Sequence, residues 1–177
     1  MSKKQDILAA ALKLFTIQGA RATSTKSIAL EAGVSEALIF KHFGTKDNLL
    51  ESIIKKGYEK AIRLTNSFLK NKKGNDFLVH FIDLPMHLIN HQFDFWRMQY
   101  KILPLNPVAQ QYHTNFMRPS KRDLIETFDA LGYSEPEIET EIVLLLIDNL
   151  WKGFVSEKLS GETCEKITML LKKKYEL

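Results

Sequence analysis

A single cysteine, Cys164, stands in 177 residues. That excludes an intrachain disulfide framework and a cysteine-ligated zinc site, and it fits a reducing compartment. Long apolar runs are also missing. The longest, Ile142 to Ile147, falls far short of the ~20 residues that a membrane-spanning helix needs. Proline and glycine form no low-complexity tract of the kind that marks a disordered chain. The opening MSKKQDILAAALKLF carries Asp6 and helical spacing where a signal peptide needs a continuous apolar segment. A cytoplasmic location without membrane attachment is expected. Enzyme motifs are absent too. His87-Leu88-Ile89-Asn90-His91 lacks the glutamate of a zinc-protease motif, no phosphate-binding loop occurs, and Cys164 has no histidine near it in sequence. Asp83, His87 and His91 share the i, i+4, i+8 spacing that can ligate a divalent ion. Pro85 falls inside that register, and polar or capping use of such residues is commoner. No metal and no cofactor are assigned.

Charge is unevenly spread. Residues 1–72 hold 13 Lys/Arg against 6 Asp/Glu, whereas residues 73–177 hold 12 against 15. A basic front points to a polyanionic partner, with nucleic acid and anionic lipid both open on charge alone. The rest of the pattern is helical. Ile7, Leu8, Ala11, Leu14 and Phe15 share one face of a first helix that Gly19 ends. Ser24 or Thr25 caps a second helix closed by Gly33. Ser35 caps a third over 36–42, and Thr45 a long fourth. NKKGND (71–76) separates two parts of the chain. Pro85 predicts a kink or break, Pro104 and Pro107 a helix boundary, and Pro119 an interruption. Ser134 and Glu137 have capping-box spacing at the start of a helix to about 157, and Ser160 caps a last helix through Leu171. No strand-like alternation and no repeat appear. The fold class is all-α, with about nine helices.

The turn Ala32-Gly33-Val34-Ser35 joins two short helices as in a helix-turn-helix, whose second helix enters the DNA major groove. Ala10, Phe15, Gly19, Thr23, Ile28, Ala29, Ala32, Gly33, Val34, Ser35, His42, Phe43, Lys46 and Leu49 complete an ungapped array over residues 7–50. In that array the chain resembles the DNA-binding domain of the tetracycline-repressor (TetR) family. Residues 51–177 match the family only in length and helical pattern. The resemblance implies a DNA-binding domain over 1–47 and a helical effector-binding and dimerisation domain over 48–177. Thr25, Lys26, His42 and Lys46 would contact phosphate, and Glu36, Ala37 and Lys41 would face the groove. Relatives usually place tyrosine where this chain has Phe40, so the aromatic packing stays and a phosphate-bonding phenol is lost. Glu36 stands where a neutral or basic residue is more usual.

The same resemblance implies a homodimer on a palindromic operator, because two reading helices must meet half-sites about 34–36 Å apart. Ile138, Ile142, Leu145, Leu146 and Asn149 in the helix from 134, with Ile167, Leu170 and Leu171 in the last helix, are the candidate dimer face. The aromatic segment 91–103 supplies candidates for a small hydrophobic effector, with Phe93, Trp96 and Tyr100 as lining and His87, Gln99, Tyr112 and His113 as polar groups. Core filling is the competing use of each aromatic residue. The leading expectation is a repressor released by an effector. A ligand-free architectural DNA-binding protein is the alternative, and an all-α enzyme or a membrane-surface protein a third reading.

Overall fold

The computed structural model describes residues 2–177. Eight helices follow in order: α1 (Lys3–Gln18), α2 (Thr25–Ala32), α3 (Glu36–Phe43), α4 (Lys46–Phe68), α5 (Gly74–Ile102), α6 (Pro107–Ala130), α7 (Pro136–Val155) and α8 (Gly161–Lys174). No strand occurs among the described residues. The all-α expectation is met. The count reaches the expected nine if α5 is divided at Gln92, whose φ of −151° and ψ of 43° interrupt the helix.

The short helices are set by local chemistry. Ser2 and Gln5 form a reciprocal capping box on α1, and the Ser24 hydroxyl accepts from Ser27 N–H at the start of α2. Gly33 then sits at φ 61° and ψ 43°, a left-handed conformation that only glycine adopts without a Cβ penalty. Ser35 caps α3 by accepting from Leu38 N–H, and Asn48 N–H donates to Thr45 Oγ1 ahead of α4.

Three proline or capping expectations change. Neither Pro85 nor Pro119 breaks its helix, and the non-helical residue inside α5 is Gln92 instead. The Ser134–Glu137 capping box does not form. Pro136 takes the first helical position, which makes Glu135 the N-cap and leaves that end without a side-chain cap.

The chain folds into two compact units. One comprises the residues through Glu59 together with Asp94–His113, and the other Lys60–Phe93 with Thr114–Leu177. In the first, Ala11 and Trp96 are buried with Ile7, Phe15, Ile28, Ile39, Leu49 and Ile54, and each of these last six removes enough apolar surface from water to contribute about 1.5–3 kcal/mol. Gly57 admits the Phe95 ring, since a Cβ there would lie 2.0 Å from Phe95 Cε2. In the second, Phe77 and Phe81 stack at 5.7 Å, and Phe128, Tyr133 and Tyr175 form a ring cluster with centroids 5.1–6.0 Å apart. The Tyr175 hydroxyl donates to Glu139 Oε2 at 2.8 Å, which ties the chain's end to α7.

Candidate nucleic-acid interface

α2 and α3 meet across the Gly33 turn, and α3 is anchored by Ile39 and Phe43, both buried. Ile28 completes this small core, while Ala32 and Val34 are half-buried. What α3 leaves outside is chemically mixed. Glu36, Ala37, Lys41 and His42 are exposed, and Phe40 is 47% exposed. An aromatic ring and two potential cations on a two-turn helix contribute little to its own core and much to an outer surface.

Two of the expected phosphate ligands are engaged within the chain. The Thr25 hydroxyl donates to the Glu36 carboxylate, joining the first residue of α2 to the first of α3. A carboxylate therefore lies beside the positive end of α2, where a phosphate would otherwise be favoured. Lys46 Nζ donates to the carbonyl oxygens of Ala20 at 2.9 Å, Thr23 at 2.9 Å and Arg21 at 3.5 Å. An ammonium has three donors, and three backbone acceptors surround this one. In this arrangement Lys46 fastens the α1–α2 turn. Lys26, Lys41 and His42 stay exposed.

The first unit contains further supports that sequence spacing does not reveal. The Thr16 hydroxyl donates to the carbonyl of Asp94 at 3.0 Å, and Lys101 Nζ donates to the carbonyl of Thr16. Both tie the end of α1 to the second half of α5, 78 and 85 residues away in sequence. Thr23 is buried and donates to the carbonyl of Gly19 at 2.8 Å. A Lys13–Glu31 ion pair of 2.6 Å joins α1 to α2.

The residues expected to line an effector pocket separate into two groups. Trp96, Gln99, Tyr112 and His113 gather around Tyr58 in the first unit, and Tyr100 lies 6.4 Å from both Trp96 and His113. Gln99 Nε2 donates to the Tyr58 hydroxyl at 2.8 Å and to the carbonyl of Ala109 at 3.3 Å. The Tyr58 hydroxyl is also hydrogen-bonded to His113 Nδ1 at 3.1 Å. Gln99 Oε1 is buried and accepts no hydrogen bond. His87 and Phe93 lie in the second unit instead. The His87 ring stacks on Phe68 at 4.2 Å and Phe93 meets Phe154 edge-on. Burial, together with the charge on His91, lowers the His87 pKa. Asp83 is paired with Lys172 at 2.7 Å, and no metal-ligating cluster occurs among the described residues. A cleft of about 610 Å³ in the second unit, bordered by Ile62, Thr65, Phe77, Phe116 and Ser120, contains none of the expected ligand residues.

α7 has two unlike faces. Val143, Ile147, Leu150 and Val155 are buried, whereas Ile138, Leu145, Leu146 and Asn149 are exposed and Ile142 is half-buried. Leu145 is 62% exposed, as is its neighbour in chemistry on α8, Leu170, at 68%. Ile167 is half-buried. Leu171 faces its own chain's interior and is only 4% exposed, so it stands apart from the outward stripe.

The family model described as bacterial regulatory proteins, tetR family, matches residues 7–53, the segment that holds α2, the Gly33 turn and α3. Over that segment the chain is similar to the tetR family. Among curated relatives, the uncharacterized HTH-type transcriptional regulator YvkB of Bacillus subtilis (strain 168) is 27% identical over 71% of this chain and 66% of its own length. An HTH-type transcriptional repressor of Mycobacterium tuberculosis (strain ATCC 25618 / H37Rv) is 43% identical over 34% of this chain and 32% of its own. The chain thus spans just under two thirds of the first relative and about a third of the second. Among solved structures, a Saccharomonospora viridis protein in complex with choline aligns with a TM-score of 0.80 at 20% identity, over 98% of this chain and 95% of that one. That likeness shows a shared fold across α1–α8. Among the described residues no helix is long and apolar enough to cross a membrane.

Proposed function

We propose that the protein is a homodimeric transcriptional repressor that binds a palindromic DNA operator and is released by a small hydrophobic or aromatic effector. The observation that carries the reading is the outer face of α3. Lys41, His42 and Phe40 are exposed on a helix held by Ile39 and Phe43 behind a Gly33 turn. A helix anchored on one side and polar on the other suits the major groove. In this reading residues 1–47 read DNA and residues 48–177 bind effector and dimerise. Lys26 and His42 meet phosphates, with Thr25 joining them once its hydroxyl leaves Glu36. Lys41, Ala37 and Glu36 face base edges, and Phe40 packs against the backbone without a phenol to donate.

The exposed stripe of Ile138, Leu145, Leu146 and Asn149, with Ile142 beside it and Ile167 and Leu170 on α8, supports pairing with a second copy. For the effector, the support is the buried Gln99 carbonyl oxygen, which lacks a donor amid the rings of Trp96, Tyr100 and Tyr112. A guest carrying one hydrogen-bond donor on an apolar or aromatic body would satisfy it. Choline in the S. viridis protein makes quaternary ammonium compounds sensible members of a first ligand panel, since aromatic faces attract such cations. Effector action is a population shift. The guest weakens DNA binding only as far as it prefers the conformation that does not fit the operator.

The experiment is selection of bound DNA from a random pool, followed by mobility shift on the recovered sequence with and without the ligand panel. A two-fold symmetric site is expected, with affinity that falls when an effector is added. Recovery of no preferred sequence would remove the repressor reading. Tight sequence-selective binding that no ligand alters, together with a Gln99→Leu variant of unchanged behaviour, would favour the architectural alternative.

A further inference from the structure

A second cleft, of about 360 Å³, lies within the first unit where the α1–α2 turn, the first turns of α4 and the α5–α6 corner meet. Its apolar surface comes from Phe15, Leu50 and Ile102, with Leu105 at its rim 67% exposed. Around that surface stand Arg21, Lys46 and Lys101, against Asp47 as the sole acid among the lining residues. The three cations are not equivalent. Lys46 has its donors occupied by backbone carbonyls, so it contributes charge but no vacant N–H. Lys101 gives one of its three donors to the carbonyl of Thr16. Arg21 is exposed and has no acidic partner among the described residues. Asn106 accepts from Ala109 N–H through Oδ1 at 2.9 Å, which leaves its amide NH₂ as a further donor.

An apolar surface bordered by surplus positive charge and spare N–H donors has a definite complement. We propose that this cleft binds a small amphiphilic anion. Its carboxylate is held by Arg21 and Lys101, and its hydrocarbon body covers Phe15, Leu50, Ile102 and Leu105. Guanidinium suits a carboxylate because it donates two parallel hydrogen bonds, and the cleft is at the small end of the range that takes organic ligands. The site does not depend on the repressor reading. It involves neither Gln99 nor the α7 stripe, and its test needs no DNA.

The test is titration calorimetry of the full chain with sodium octanoate, with acetate, octan-1-ol and octyltrimethylammonium as separate controls. Octanoate is expected to bind saturably at one site per chain, at least tenfold more tightly than any control. Arg21→Ala should weaken octanoate tenfold or more, and Leu105→Gln three- to tenfold. Both residues are exposed, so circular dichroism and Tm of the two variants should match the parent. Absence of saturable octanoate binding overturns the proposal. So does acetate, octanol or the ammonium binding as tightly as octanoate, or octanoate affinity unchanged in both variants.

Discussion

α3 and α7 each turn a face to the outside that their own chain does not cover, and the two faces have opposite chemistry. α3 shows Lys41 and His42 around Phe40, whereas α7 shows Ile138, Leu145 and Leu146. Exposure alone does not name a partner; the chemistry of the exposed face does. Cations release counterions when they meet phosphates, so an α3 complex weakens as salt rises. Burial of leucine and isoleucine is not screened, so an α7 complex should survive salt that strips DNA away.

The strongest way to break that contrast is to place charge on the apolar face. Leu145→Asp should convert dimer to monomer in light scattering with the helical spectrum unchanged. Two-fold symmetry puts two carboxylates in one interface, where unpaired charge is costly. Operator affinity should fall by roughly 100-fold or more, because one reading head loses the second half-site. Lys41→Ala should do the reverse, leaving the mass at dimer while lowering operator affinity and relaxing the preference at one base pair in each half-site. A dimeric Leu145→Asp variant with parental DNA binding would show that the stripe is not the contact between copies.

A smaller effect is expected inside the first unit. Gly57→Ala places a methyl where Phe95 ring atoms lie within 2.0–2.4 Å of the Cβ position. Overpacking of this kind costs about 1–3 kcal/mol, which for a chain of this length lowers Tm by roughly 2–12 °C. Phe95→Leu in the same chain should restore part of the loss. If Gly57→Ala melts with the parent, the ring is not the constraint on that position.

Legibility differed along the chain for physical reasons. α1–α3 were readable because every boundary is a local device. Ser24, Ser35 and Thr45 cap, Gly19 and Gly33 end helices, and each acts within four residues of its own position. The roles of Lys46 and Lys101 were not readable, because their acceptors are carbonyls of residues 20–23 and 16, contributed by folding and not by spacing. Aromatic residues in 91–103 look alike in sequence, yet Trp96 joins the Tyr58 cluster while Phe93, next to the non-helical Gln92, lies in the other unit. A 3.6-residue period cannot register a break of that kind.

Lys46 itself offers a sharper test of which cations serve DNA. As a fastener, Lys46→Met should lower stability by about 1–3 kcal/mol, since carbonyls of Ala20 and Thr23 lose a charged donor. The salt slope of operator binding should stay within half a unit of the parent. Were Lys46 a phosphate ligand, the slope would drop by about one and Tm would barely move. Measuring melting and salt dependence on one sample separates the two roles.

The smallest expected effect lies in the second unit, at the α7–chain-end tie. Burial tends to raise the Glu139 pKa, but hydrogen bonds from Tyr175 and Lys174 and the charge of Lys174 outweigh it, so the net shift is downward. A lowered carboxylate contributes stability above its unfolded pKa and loses it as pH falls through the lower folded value. Glu139→Gln should therefore melt about 1–3 °C below the parent near neutral pH, a size suited to a partly exposed pair. The difference should shrink as pH drops below about 4.5. Tyr175 works in the opposite sense. Burial first, and then the Glu139 carboxylate, hold its phenol above the usual range, so its contribution is complete below pH 10 and fades as pH rises beyond it. A gap between parent and Glu139→Gln that stayed constant from pH 7 to pH 3 would show that the carboxylate's charge plays no part in the tie, and that shape alone holds Tyr175 against α7.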